Sequence, residues 1–192
     1  PAEIPTPEDY GPLLPISVYG ASKLGCESLI SSYCHTFGLR GLILRPANIV
    51  GSRMTHGVIM DFIRKLQKNP KELEILGDGN QSKSYLYIKD FVEAVLVSLK
   101  CFLNEHKKIE VYNVGSSDRV DVKHIAEIVA DEMGLHDLRF RLTGGVNGGR
   151  GWKGDVRNML LYIEKFSALG WRPTLDSEEA VRLSCRDLLR SS

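Results

Sequence analysis

Short apolar runs and amphipathic helical stripes alternate along this chain, and that alternation admits few architectures. Cys26, Ile30, Tyr33, Cys34 and Phe37 recur at helical spacing and predict a helix over about 18–37, capped by Gly38. Residues 41–50, GLILRPANIV, are too few for a domain helix and carry a proline near the middle. Such a run suits a buried parallel strand that ends at its proline. Val58, Ile59, Phe62, Ile63 and Leu66 predict a second helix, and Leu73–Leu76 a short strand before the Gly77-Asp78-Gly79 turn. Val92, Val95, Leu96, Leu99 and Leu103 predict a third helix. A strand at Glu110–Val114 follows, then a helix carrying Val122, Ile125, Ala126, Val129 and Met133 and stopped by Gly134. After a strand near Leu138–Leu142, the segment GGVNGGRG reads as a mobile loop. Helices near 160–169 and 177–189, the second capped by Ser177, complete the pattern. Strands alternating with helices predict an α/β layer whose ligands bind beyond the carboxyl ends of the strands.

Five prolines in the first fifteen residues fix φ and remove donors, so Pro1–Pro15 is expected to wrap a surface as a loop. With 43% hydrophobic residues the 192-residue chain can bury a real core, and a net charge of +1 leaves no basic stripe for nucleic acid and no polybasic membrane patch. No run approaches the roughly 20 apolar residues of a membrane span, and the opening residues lack a signal-peptide pattern. The expected setting is cytoplasmic. Cys26, Cys34, Cys101 and Cys185 form no C-x-x-C pair and each reads as a buried small hydrophobe; metal-ligand spacing is missing, so no metal site is expected.

Tyr19 and Lys23, in SVYGASKLG, stand four apart at the start of the first helix, which puts phenol and ammonium on one face. A cation beside a phenol favours the phenolate, and the positive end of the helix dipole acts in the same direction. Tyr19 is therefore a candidate general base. Tyr85 and Lys89 share the Y-x-x-x-K spacing but begin in the extended run SYLYI, where four residues span roughly 13 Å and the groups cannot touch. The Gly-rich dinucleotide fingerprint that an α/β nucleotide enzyme carries after its first strand is missing from these residues.

Five motifs follow in order: Y-G-A-S-K with Glu27, L-R-P-A-N-I-V-G, G-D-G-N-Q-S-K-S-Y-L-Y-I-K-D, Y-N-V-G-S, and G-D-V with L-G-W-R-P. In these the chain resembles the extended short-chain dehydrogenase/reductase family, in its branch of NAD-dependent nucleotide-sugar epimerases and dehydratases. The resemblance implies the C-terminal part of an extended Rossmann-type, doubly wound fold plus a small α/β substrate-binding domain. Residues 1–52 and 83–103 would be the remainder of the dinucleotide domain, and 53–82 and 104–192 the substrate domain. Roughly 100 or more residues carrying the dinucleotide loop and the catalytic Ser or Thr would precede Pro1.

The resemblance further implies a bound NAD that takes hydride from a sugar carbon while Tyr19 takes the hydroxyl proton. Lys23 would also hold the nicotinamide ribose, and Pro46 with Ala47 would border the nicotinamide. The keto sugar would turn over and be reduced from its other face. Asn48, Val58, Lys83, Tyr85, Arg150 and Asp155 are the implied substrate-binding residues, around the diphosphate and ribose of a UDP-sugar. Lys83 stands where the family has Arg, exchanging a two-pronged fork for a point charge. Arg150 is displaced from the family's position before Asp155, and Lys89 replaces an acid. His56 reads as a solvated loop histidine. A homodimer is the expected assembly. The alternatives are a 4,6-dehydratase and a non-catalytic sugar-nucleotide- or partner-binding remnant.

Overall fold

A computed structural model describes residues 1–191. The elements in chain order are α1 (Val18–Phe37), β1 (Gly41–Pro46), β2 (Asn48–Val50), α2 (Val58–Lys68), β3 (Glu72–Ile75), β4 (Ser82–Lys83) and β5 (Tyr85–Tyr87). They continue with α3 (Ile88–Asn104), β6 (Ile109–Val114), β7 (Val120–Asp121), α4 (Val122–Glu132), β8 (Arg139–Leu142), β9 (Asn158–Met159), α5 (Glu164–Ser167) and α6 (Ser177–Ser191). The expected alternation of strand and helix is present. β1 pairs in parallel with β6, β2 with β5, β3 with β8 and β4 with β9; β4 and β7 alone are antiparallel among the described strands. Parallel pairs of this kind need helical crossovers, which α2, α3 and α4 provide.

The apolar run 41–50 is divided at Ala47, where the chain changes partner. The Ala47 N–H donates to Val114 O on the β6 side (2.7 Å), and the Asn48 N–H to Ser84 O on the β5 side (3.2 Å). Along β1 the pleat sends alternate residues to opposite faces. Leu42 and Leu44 pack with Ala94 of α3, Leu86, Tyr112, Phe166 and Trp171. Gly41 and Arg45 face α1: a Cβ on Gly41 would stand 2.8 Å from both Cys34 Sγ and Ile30 Cγ2, so the helix approaches the strand where no side chain intervenes. The larger core lies among α2, α4 and α6 over β3, centred on Ile59, Phe62, Ile63, Leu73, Ile125, Val129 and Val181.

Several expectations are corrected. The periodic residues of α1 and α3 mark outward faces. On α1 only Cys34 of the predicted stripe is buried, and the inward line is Ser17, Gly20, Leu24, Glu27, Ser31 and Cys34. On α3 Val92, Leu96, Leu99 and Leu103 are exposed while Asp90, Ala94, Ser98 and Phe102 are buried. The reason is that the buried polar groups are satisfied: Asp90 accepts from Thr174 and Leu175, and Ser98 Oγ donates to Val95 O. Cys26 is exposed and Cys101 half-buried, following these helix rotations; Cys34 and Cys185 are buried as expected. The helix expected at 160–169 shrinks to Glu164–Ser167, because Leu160–Tyr162 instead pair with Thr6 of the proline-rich segment. Ser177 does not cap α6 from outside. Asp176 and Glu179 form the reciprocal cap, each accepting the other's backbone N–H at 2.8–3.0 Å. Ser177, fully buried, ties the helix start to Tyr85 N and Asp118. Within the segment GGVNGGRG, Val146 and Arg150 exchange backbone hydrogen bonds, and Gly149 O accepts from Asp78 N.

Candidate active site

Ser17 Oγ accepts the Gly20 N–H and opens α1 directly before Tyr19 and Lys23. One turn places Lys23 Nζ 5.4 Å from the centroid of the Tyr19 ring, so the face predicted from spacing exists. Tyr19 is 72% exposed, on the open side of the helix. Lys23 lines a cleft of about 800 Å³ between the Pro1–Ser17 segment, α1 and residues 156–161, and Arg150 lines it too. Among the described residues the Lys23 ammonium has no carboxylate partner.

A second, smaller cleft of about 280 Å³ gathers Val58, Lys83, Tyr85 and Asp155. These residues come from α2, β4, β5 and the segment after the glycine loop. Phe62, Leu76 and Val122 form its apolar wall. Lys83 Nζ and Asp155 Oδ1 make an ion pair at 2.7 Å, with the Asp155 side chain only 2% exposed. Asp155 Oδ2 accepts the Gly151 N–H at 3.1 Å. Burial pushes the Tyr85 phenol well above its ordinary value, and the Asp155 charge adds to this, so Tyr85 stays a neutral hydrogen-bonding group rather than a base. Arg150 joins the two clefts: its Nε donates to Asp155 O at 3.0 Å and its Nη1 to Asn147 O at 2.6 Å. Gly149 lies at φ +90°, and a Cβ there would stand 2.1 Å from Asp78 Oδ2, so only glycine allows the loop this close to Asp78.

Asn48 and Pro46 stand at the strand ends and line neither cleft. The Asn48 Nδ2 donates to Ser84 O at 3.0 Å, while Pro46 is exposed and Ala47 buried. His56 is exposed, against Thr55 Oγ1. Two contributors escape a reading by residue pattern. Trp152 lies 5.4 Å from Lys83 Nζ, ring to ammonium, and Gln81 is a buried amide in the smaller cleft. The signal for Trp152 is an aromatic placed beside a glycine-rich loop.

Parallel strand pairs joined by helical crossovers, with a Tyr–Lys pair at one helix start and a buried ion pair in a second cleft, define a Rossmann-type α/β class. Residues 1–115 match the model of the NAD dependent epimerase/dehydratase family. The chain belongs to that family. It is 33% identical over 186 residues to the putative UDP-glucose 4-epimerase of Methanocaldococcus jannaschii, covering 95% of this chain and 56% of that protein. It is 28% identical over 176 residues to the human dTDP-D-glucose 4,6-dehydratase, covering 91% of this chain and 49% of that one. A crystal structure of UDP-galactose 4-epimerase superposes with a TM-score of 0.87 at 45% identity, over 98% of this chain and 58% of its own. The chain thus spans about half the length of the curated relatives it matches.

Proposed function

We propose that the complete protein is an NAD-dependent nucleotide-sugar epimerase of the UDP-glucose 4-epimerase kind. The observation that carries this reading is the Tyr19–Lys23 pair, set on one face at the start of α1 and open to solvent beside a large cleft. NAD would supply the acceptor that takes hydride from a sugar carbon and returns it. The residues present fit that group: Lys23 offers ammonium N–H donors that no carboxylate takes up among the described residues, of the kind a ribose diol accepts, and Pro46 sits at the carboxyl end of β1, where this fold class binds dinucleotides. Tyr19 takes the sugar hydroxyl proton and later gives it back, and the Lys23 charge stabilises the phenolate in between. Lys83, Tyr85, Asp155 and Val58 of the smaller cleft hold the nucleotide, with Arg150 reaching it from the larger cleft through Asp155; Asn48, turned to Ser84 O at the start of β2, stands apart from both clefts. Lys83 supplies phosphate charge, Asp155 accepts from ribose hydroxyls and Val58 gives an apolar wall.

The same reading divides the chain into residues 1–52 and 83–103 in the dinucleotide unit and 53–82 and 104–192 in the substrate unit. The parallel pairing of β6 with β1 supports counting residues 109–114 with the first unit instead. It includes a homodimer, supported by the exposed Leu29, Tyr33 and Phe37 of α1, and a cytoplasmic setting, in keeping with four free cysteines. No helix is long and apolar enough to cross a membrane among the described residues. The test is incubation of the complete, NAD-loaded protein with UDP-glucose. Formation of UDP-galactose supports the reading. A 4-keto-6-deoxy product assigns the dehydratase reaction instead, and absence of either product overturns both.

A further inference from the structure

The inward line of α1 is unusual for a helix that carries reactive residues. Ser17, Gly20, Leu24, Glu27, Ser31 and Cys34 face the body, and Cys34 alone is fully buried, near the far end. Tyr19 and Lys23 stand 11 or more residues from it, on the order of 16 Å along the axis. Among the described residues, the inward line near Tyr19 and Lys23 offers one partly buried apolar side chain, Leu24. The charged tie on the same line is Glu27, one turn beyond Lys23. Its carboxylate meets the Arg45 guanidinium in a two-pronged fork, Nε to Oε1 at 2.9 Å and Nη2 to Oε2 at 2.7 Å. Both side chains are only 24% exposed.

Arg45 does not stop there. Its Nη1 donates to Glu8 O at 2.8 Å, and Glu8 Oε1 accepts the Asn113 N–H at 2.9 Å. Asn113, 1% exposed, donates its amide to Thr6 O and Tyr162 O. One guanidinium on β1 thereby joins α1 to the proline-rich segment, and these are two walls of the cleft that Lys23 lines. A planar fork fixes direction as well as distance, which a lysine in the same place would not.

We infer that the Glu27–Arg45 fork is a positioning device for the reaction: it sets the angle of α1, and so the placement of Tyr19 and Lys23, relative to the Glu8 wall of the cleft. The inference rests on the reading of Tyr19 as the base. Glu27 and Arg45 line the cleft that Lys23 lines, and the effect assigned to them runs through the placement of α1. Small misplacements of reacting groups cost turnover steeply, whereas nucleotide binding in the other cleft is untouched by them.

The test uses the complete, NAD-loaded protein and UDP-glucose. Glu27→Ala should lower kcat about ten-fold or more with KM changed less than about three-fold. Arg45→Lys should fall between wild type and Arg45→Ala. Hydrogen exchange at the amides of residues 22–28 should quicken in Glu27→Ala while α2 and α4 keep their protection. A merely structural role would lower the active fraction without lowering kcat per NAD-loaded site. Unchanged kcat and exchange in Glu27→Ala would overturn the inference, provided Tyr19→Phe is inactive. If Tyr19→Phe is itself active, the reading of the base fails, and exchange alone then decides whether the fork holds α1.

Discussion

Removing the Lys83 side chain strands the Asp155 carboxylate, and the size of that effect follows from its surroundings. Asp155 is 2% exposed at the side chain and has two stabilising contacts, Lys83 Nζ at 2.7 Å and Gly151 N–H at 3.1 Å. Breaking a fully buried pair by deleting one partner costs about 3–5 kcal/mol. Lys83 retains 20% side-chain exposure and the Gly151 contact survives, so Lys83→Ala is expected to cost about 2–3 kcal/mol. Asp155→Asn leaves a partly solvated ammonium and should cost less. The double variant buries no charge and should be more stable than the sum of the single losses predicts, by about 1.5 kcal/mol. Urea denaturation of the four proteins at one pH, with m-values held in common, measures this. Additivity within about 0.5 kcal/mol would refute the claim that Asp155 depends on Lys83. The same variants bear on ligand binding: Lys83→Ala should weaken UDP about ten-fold, and Lys83→Arg should preserve binding by restoring the fork.

Two further outcomes are expected. His124 bridges α6 and α4 through Glu178 at 3.0 Å and Glu127 at 3.1 Å, and these hydrogen bonds hold its imidazole above the ordinary value. A raised folded value means the stabilisation is fully present below the unfolded value of about 6.5 and is lost as pH rises through the higher folded one. His124→Gln should therefore be less stable than wild type below about pH 6.5, by under about 1 kcal/mol given its exposure, with the gap closing at higher pH in a melting series. Gly41→Ala should destabilise by about 1–3 kcal/mol, since the new methyl meets Cys34 Sγ and Ile30 Cγ2 at 2.8 Å and α1 must move away. An unchanged denaturation midpoint would show that α1 does not press on β1 there.

The sequence revealed most where structure is local. The α2 stripe of Ile59, Phe62, Ile63 and Leu66 is buried as its period predicts, because the helix lies on the larger core. Tyr19 and Lys23 were legible because four residues of helix are enough to bring them together. The rotation of α3 was not legible: its buried face is Asp90, Ala94, Ser98 and Phe102, and hydrophobic periodicity cannot recognise a polar face satisfied by Thr174, 84 residues away. Leu160–Tyr162 were read as helix because their contact with Thr6 lies outside any local window. Lys83 and Asp155, 72 residues apart, were drawn to one site by family resemblance alone; spacing gives no hint of their ion pair. The Glu27–Arg45 fork was visible only as two motif letters, since its meaning depends on the pairing of α1 with β1.

The central claim is that Tyr19 moves the proton of a sugar hydroxyl. Tyr19→Phe removes one oxygen from a 72% exposed side chain that supports no core packing, so the variant should fold as wild type does. Steady-state turnover of UDP-glucose by the complete Tyr19→Phe protein, measured beside its affinity for UDP, is the direct test. The account predicts loss of most turnover, at least about 100-fold as expected for a general base, with UDP affinity within a few-fold of wild type. Turnover near that of wild type would contradict it.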